Sequence, residues 1–366
     1  AELKPFHNLE RLKGQVDIDG ALKGNLSEPQ LEAEVKGDSI YYQDIKIGVV
    51  NGAVDFAQQE LTFVDVTIPK YASKLAGEIN FKQQNSNIVV TTNDLAASKI
   101  DSLIHDQLQL TGQLSAQTEI NSLLSNPQVE SNLKITNGLL LEKQKFDNLI
   151  LDLSYVGQTK KLNVKQGQIN YKDSSLEIAG TMIEQALDFN FNSSQVVWED
   201  INFTDNLKDL TGSAEVSGSV YGNSTNPKVA AKFNAQEVKF AEKAIGNLNG
   251  RLDYKNHNIY LTDIDVKANS NQYRLNGSLN LNQNKIDKIS VGITSGTVNY
   301  LNQFIPSDLD IDYQFNGQIE AKGKFKEPQF NVELVVQDND GAGTLELTGD
   351  YWWAQNANLK VVATKF

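Results

Sequence analysis

Four prolines, Pro29, Pro127, Pro227 and Pro328, recur at intervals of 98, 100 and 101 residues (127 minus 29, 227 minus 127, 328 minus 227), each inside a similar string. No other feature constrains the fold as strongly, because self-similarity at a fixed period marks a repeat architecture. The first string runs Leu12-Lys13-Gly14, then Gly20 and Gly24, then Glu28-Pro29-Gln30-Leu31. The second runs from Leu110-Thr111-Gly112 to Asn126-Pro127-Gln128-Val129, and the third from Leu210-Thr211-Gly212 to Asn226-Pro227-Lys228-Val229. The fourth holds Gly317, Gly323 and Glu327-Pro328-Gln329-Phe330. A second landmark, an apolar residue two before a glycine, follows the first three prolines at Gly77, Gly180 and Gly277. It arrives early, at Gly349, in the fourth.

The repeats cover approximately 12–109, 110–209, 210–308 and 309–366, the last shortened or truncated. They predict one continuous array over 1–366 rather than separate globules, since each unit has an apolar face that it cannot bury alone. Period-two alternation dominates within them. Val16 and Ile18 alternate with Asp17 and Asp19, and Leu149, Leu151, Leu153 and Tyr155 share one face of a strand. The longest run extends from Leu309 to Phe325. Such alternation predicts antiparallel strands with one apolar and one wet face. Asn51-Gly52, Asn137-Gly138, Lys255-Asn256-His257-Asn258 and Asn339-Asp340-Gly341 read as turns. Helical pattern is thin and sits at the repeat junctions: Asp94 to His105 with Asp94 as N-cap, Asp200 to Leu210, and Asn299 to Ile305. The recurring prolines mark strand starts, where a missing N–H is harmless. The glycines on the apolar face predict strong curling of the sheet.

An apolar sheet face needs a cover. A second sheet, a closed barrel or a non-protein ligand in an open groove would each serve. The junctions carry no Gly, Ser or Pro linker of the kind that would separate a stack of sandwiches, and the strands are too irregular and acidic for a transmembrane barrel. The net charge of −13 disfavours nucleic acid. It also argues against docking on an anionic membrane surface, because the sequence contains no polybasic run. No stretch approaches the roughly 18 apolar residues of a membrane helix. The absence of cysteine rules out disulfides and thiolate chemistry. With no signal peptide, the chain reads as an internal fragment.

No catalytic or metal site is expected, and the chain is read as a non-enzyme. His7, His105 and His257 fall in different repeats. Asp263 and Asp265, and Asp308, Asp310 and Asp312, stand at strand spacing that turns them to the wet face. Asp338-Asn339-Asp340-Gly341 lacks the outer ligands of a calcium loop, with Val336 and Leu347 at those places. Gly341-Ala342-Gly343 lacks the third glycine of a dinucleotide fingerprint.

The string Leu-Thr-Gly, an alternating strand, a glycine, Asn-Pro or Glu-Pro and a second alternating strand, with Leu-x-Gly about fifty residues later, resembles the repeat of the TamB and AsmA-like envelope proteins. The likeness runs from Leu12 to the end. It implies an all-β, elongated and strongly curled antiparallel sheet, a β-taco, carrying phospholipid in an apolar groove between the inner and outer membranes of a diderm bacterium. It also implies a periplasmic location, outer-membrane lipid homeostasis and an inner-membrane anchor N-terminal to this sequence. A C-terminal region, also outside this sequence, would contact an Omp85-type outer-membrane barrel assembly protein. The alternatives are an adhesive stack of β-sandwiches binding protein or glycan, an outer-membrane protein assembly factor, and an enzyme on a parallel β-helix. An adhesive stack would carry aromatic clusters at its loop tips, and the adjacent Trp352 and Trp353 fall in a strand.

A lipid groove also follows from the residues themselves. Burying an acyl chain contributes roughly 0.8 kcal/mol per methylene, about the same in a greasy groove as in a bilayer, so movement along it needs no catalytic residue and no cofactor beyond the bound phospholipid or other acyl-chain lipid. About 25 strands at roughly 4.8 Å each would span on the order of 120 Å. The expected lining is Val16, Ile18, Leu31, Val35, Val54 and Phe56 in the first repeat, and Leu133, Leu151, Leu153, Leu187, Phe189 and Phe191 in the second. Val229, Phe233, Leu252, Tyr254, Leu275 and Leu279 follow in the third, and Ile311, Phe315, Phe330, Val332, Leu334 and Leu347 in the fourth. A sandwich would use the same residues as core.

Overall fold

Alternating sequence becomes strand almost everywhere. The computed structural model describes residues 12–25, 28–42, 45–101, 108–123, 126–201, 209–297, 300, 313–338, 344–352 and 356–364. These hold 22 strands. In the first third they are β1 Leu12–Asn25, β2 Glu28–Tyr42, β3 Ile45–Ala57, β4 Glu60–Ile68, β5 Ser73–Asn80, β6 Asn85–Ala96 and β7 Gln113–Leu123. The middle third holds β8 Gln128–Leu140, β9 Gln144–Val156, β10 Lys161–Tyr171, β11 Ser174–Ile183, β12 Ala186–Val197, β13 Leu210–Asn223 and β14 Asn226–Phe240. Then come β15 Lys243–Lys255, β16 Asn258–Ala268, β17 Asn271–Asn280, β18 Lys285–Thr297, β19 Tyr313–Lys324, β20 Glu327–Asp338, β21 Thr344–Trp352 and β22 Asn356–Thr364. Helical structure among the described residues is confined to short pieces such as α1, Ser98–Asp101, and the 3-10 turns Pro69–Tyr71 and Trp198–Asp200.

Two compact units divide the chain: residues 1–172 with 177–184, and residues 173–176 with 185–366. Each contains an antiparallel meander in which every strand pairs with its sequence neighbour, β1 to β10 in the first unit and β12 to β22 in the second. The proline period corresponds to six strands. Pro29, Pro227 and Pro328 each occupy the second place of their strand, β2, β14 and β20, and Pro127 stands just before β8. Each of those three prolines lies across the hairpin from a glycine, Gly24, Gly222 or Gly323. Every strand therefore has a proline end and an opposite end, where α1 and Trp198–Asp200 make the connections between repeats. We call the latter the junction end.

The expected strong curl is absent: the sheet is neither strongly curled nor closed. Within each unit every ladder among the described residues joins strands adjacent in sequence. The face glycines serve a more local purpose. Asp65 sits in the left-handed region at φ 52, at the bulge between Phe63 and Val66 in β4, and Gly77 of β5 pairs with Phe63 beside it. A Cβ on Gly77, whose φ is 125, would come within 2.9 Å of Ile88 Cα on the next strand. The same device recurs in β16 and β17, where Asp263 at φ 48 makes the bulge and Gly277 pairs with Leu261. A bulge inserts an extra residue that twists its strand, and the glycine lets the neighbouring backbone close in, so the irregularity is absorbed within two strands instead of bending the whole sheet. Replacing Gly77 by alanine is expected to lower stability by more than about 1 kcal/mol. Urea unfolding measures this, and an unchanged midpoint would show that the close approach is not required.

Two expected turns lie inside strands. Asn51-Gly52 lies in the middle of β3, and Asn137-Gly138 lies in β8 with Asn137 at φ 52 and Gly138 opposite Phe146. Real hairpin turns carry less conspicuous residues, such as Gln58-Gln59 and Ala241-Glu242, each pair with positive φ as a two-residue type I′ turn requires. Lys255-Asn256-His257-Asn258 is a turn. Asp94 is no N-cap; it lies within β6 at φ 52, and α1 starts at Ser98. Of the other two expected helices, Asp200–Leu210 is described only at Asp200 and Ile201, where a 3-10 turn ends, and at Asp209 and Leu210, where β13 begins, and Asn299–Ile305 only at Tyr300.

Candidate functional site: an apolar sheet face

Residues directly opposite in an antiparallel ladder project from the same face, so the register traces which side chains share a surface. In the first unit one row runs Ala33, Val54, Phe63, Gly77, Ile88, Ile120, Val129, Tyr155 and Leu162. Leu31 and Phe56 belong to the next row, and Ile18, Val35 and Gly52 to another. Leu133 with Leu151, and Ser131 with Leu153, continue the same face through β8 and β9. In the second unit Phe189, Val220, Val229, Tyr254, Ile259, Leu279 and Ile286 form one row. Phe191, Gly218, Ala231, Leu252, Leu261, Gly277, Ile289, Ala321 and Phe330 form the next. Leu187 pairs with Gly222, Phe233 with Val216, Leu275 with Val291, and Val332 with Ile319. Leu347 is placed by its pairing with Leu334, and Ile311 lies outside the described residues.

Burial along this face follows a gradient. At the junction end the face is packed dry. In the first unit Leu95, Ala97, Leu110, Leu114, Ile135 and Phe146 form a buried cluster. In the second, Ala214, Ala235 and Val238 pack with Trp198, Leu210, Phe233 and Leu248 around them. Phe315, an expected lining residue, belongs to this dry base at 4% exposure. Further along the strands, Leu31, Val35, Val54, Phe56, Leu133, Leu151 and Leu153 are only half-buried, as are Leu187, Phe189, Phe191, Val229, Phe233, Leu252, Tyr254, Leu275, Leu279, Phe330, Val332 and Leu334. A sandwich core of this composition would be dry, since a covering sheet about 10 Å away leaves no solvent on the inner face. On β1, whose outer edge meets no described strand, Val16 and Ile18 are more exposed still, Ile18 at 62%.

The dry base was illegible in the list of alternating residues. Leu95, Leu114 and Val238 lie where bulges break the period, between Thr92 and Leu95 in β6 and between Ala235 and Val238 in β14, and Phe146 lies opposite Gly138, next to the left-handed backbone of Asn137. What signals them is their position next to the junction landmarks. Each junction is tied by a buried polar side chain. Asp101 accepts the N–H groups of Leu108 and Leu110 at 3.1 and 2.9 Å. Asp200 accepts the Ser174 hydroxyl at 3.0 Å. Asn271 Oδ1 accepts the Thr297 N–H at 2.7 Å and the Tyr273 hydroxyl at 3.3 Å.

The Tyr273 ring lies 5.6 Å from that of Tyr300, whose hydroxyl donates to the Ile245 carbonyl at 2.9 Å. Burial pushes both phenols above the ordinary tyrosine range, and for Tyr273 the nearby Tyr300 adds to the shift. Both therefore hold their protons more tightly folded than unfolded. Their contribution is fully present below the ordinary phenol pKa of about 10 and is lost as pH rises through the folded values. Absorbance titration near 295 nm is expected to show two late-ionising tyrosines, with the second unit weakening only above about pH 10. If the Y273F/Y300F variant loses stability at alkaline pH as steeply as the parent, these phenols are not the cause.

On the wet face, carboxylates and cations pair as solvated partners: Lys165 with Glu130 at 3.2 Å, Lys74 with Asp65 at 3.6 Å, and Arg274 with Asp265 at 2.7 Å. Such exposed pairs contribute little. Among the described residues no group of three or more His, Asp or Glu could hold a metal ion. His257 sits in an exposed turn with Nδ1 3.4 Å from the Tyr254 hydroxyl. His7 and His105 lie outside the described residues.

No protein-family model and no curated protein matches this chain. Its chemistry has to be read from the face itself, which offers continuous half-covered hydrocarbon, a dry base and no reactive constellation among the described residues.

Proposed function

We propose that this chain binds acyl-chain lipid, phospholipid in the first place, along the apolar face of its sheets, and passes it along that face between the inner and outer membranes of a diderm envelope. The observation that carries this reading is the half-burial of the mid-strand apolar rows, which run unbroken in register yet are not sealed by protein. Hydrocarbon chains fit such a surface: each methylene covered contributes roughly 0.8 kcal/mol, so the exposed rows and the lipid tail relieve one another of water. Because that contribution is similar at each step along the rows and close to its value in a bilayer, lateral movement has little slope and requires no catalysis. The apolar face need not be a closed tube for this. A face dry at the junction end and accessible toward the proline end lets a lipid lie with its tails inward and its polar head in water.

The reading places the protein in the periplasm, with the inner membrane and an Omp85-type barrel as the partners that the family resemblance suggests. Native mass spectrometry with lipid extraction on the purified chain tests it. Co-purifying phospholipid, captured by photo-crosslinkers at Leu252 and Leu279 on the apolar face and not at Lys232 on the wet face, is expected. A lipid-free, monodisperse protein that takes up no added phospholipid would overturn it.

A further inference from the structure

We propose that the proline end of the second unit docks on the surface of an anionic lipid bilayer. The turns joining β13 to β14, β15 to β16, β17 to β18 and β19 to β20 carry Lys255, Lys285, Lys324 and Lys326 against Glu327 alone, in a chain of net charge −13. At the junction end of the same unit the sign is reversed: the described connections there carry Glu199, Asp200, Asp209 and Glu242 against Lys243. The lysines are scattered over 71 residues of sequence (326 minus 255), so no polybasic run announces them. The fold gathers them into one row.

The row is built rather than incidental. The Leu281 N–H donates to the His257 carbonyl at 2.9 Å and the Phe325 N–H to the Asn284 carbonyl at 2.9 Å, tying three successive turns edge to edge. Within it Lys285 stands directly opposite Lys324 across β18 and β19, and like charges so placed are destabilising unless an anion lies between them. Among the described residues neither Lys324 nor Lys326 meets a carboxylate within ion-pair distance, and Lys285 reaches only the exposed Asp287, at 3.3 Å. Leu281 and Phe325, at the tips of two of these turns, are each 40% exposed. Lys324-Phe325-Lys326 thus presents an aromatic ring between two ammonium groups. An acidic protein or free anion would complement the lysines and leave Leu281 and Phe325 in water. A bilayer of anionic lipid accepts both, with apolar tips below the headgroups and lysines among them. The inference does not rest on the acyl-chain reading of the sheet face.

Co-sedimentation of the full chain with phosphatidylcholine vesicles, with and without phosphatidylglycerol, tests it. Binding is expected only to the vesicles containing phosphatidylglycerol, weakening as salt is raised. The K324Q/K326Q variant is expected to bind them roughly thirty-fold more weakly. The L281S/F325S variant should also bind more weakly, and circular dichroism of both variants should match the parent, since all four side chains are exposed. Equal binding to neutral vesicles, K324Q/K326Q binding with parental affinity, or polyglutamate competing as well as the anionic vesicles would each overturn the proposal.

Discussion

Phe146→Ala is expected to cost the first unit about 3–5 kcal/mol, a large share of the stability a domain of this size possesses. The ring is 2% exposed and fills the centre of the cluster made by Leu95, Ala97, Leu110, Leu114 and Ile135. A Cβ on Gly138 would strike it, so the backbone of β8 already lies against its edge and has little room to collapse into a cavity. Outside this cluster the buried apolar residues described in the first unit are Ala33, Ile40 and Val66, too few to make a second core that compensates. Hydrogen exchange is expected to quicken across β6 to β9, while the second unit, with its own cluster around Ala235 and Val238, keeps its protection. A loss below about 1 kcal/mol would show that the junction cluster is not what holds this unit together.

Charging the mid-strand face has the opposite profile. Leu252→Glu with Leu279→Glu places two carboxylates on half-buried positions in neighbouring rows of the second unit. In a dry core each would cost several kcal/mol through desolvation. Here the carboxylates can turn toward water, so unfolding in urea is expected to shift by no more than about 1–2 kcal/mol, while co-purifying phospholipid falls at least tenfold because an ionised group lies in the path of the tails. If the double variant unfolds instead, the face is sealed core and the lipid reading fails. If it stays folded and keeps its lipid, the lipid lies elsewhere.

Strand content was legible because alternation is a direct image of a pleated surface with one wet side. Leu149, Leu151, Leu153 and Tyr155, and Val229, Ala231, Phe233 and Ala235, occupy the same face as the period requires. The Asn-Gly pairs misled because the left-handed backbone they favour can occur inside a strand as well as in a turn; at Asn137-Gly138 it stands where Phe146 packs against β8. Strong curl failed for a related reason. A glycine on the apolar face permits bending, but it equally permits close approach of a neighbouring strand, and sequence alone does not separate the two. The packed base was hidden because bulges break the period where burial is deepest. The lysine row was hidden because its members come together only once three hairpins lie side by side.

Six strands to each proline period is an even number. A chain that crosses a sheet an even number of times returns to the edge from which it set out, so duplication or loss of a whole period leaves the prolines on one edge and the connecting helices on the other. With five or seven crossings, alternate copies would be inverted, and proline turns and junctions would be interleaved along both edges. The parity of the unit therefore lets the length of such a protein change by gene duplication, in steps of about six strand spacings or 29 Å, without disturbing which edge carries the prolines or which face is greasy.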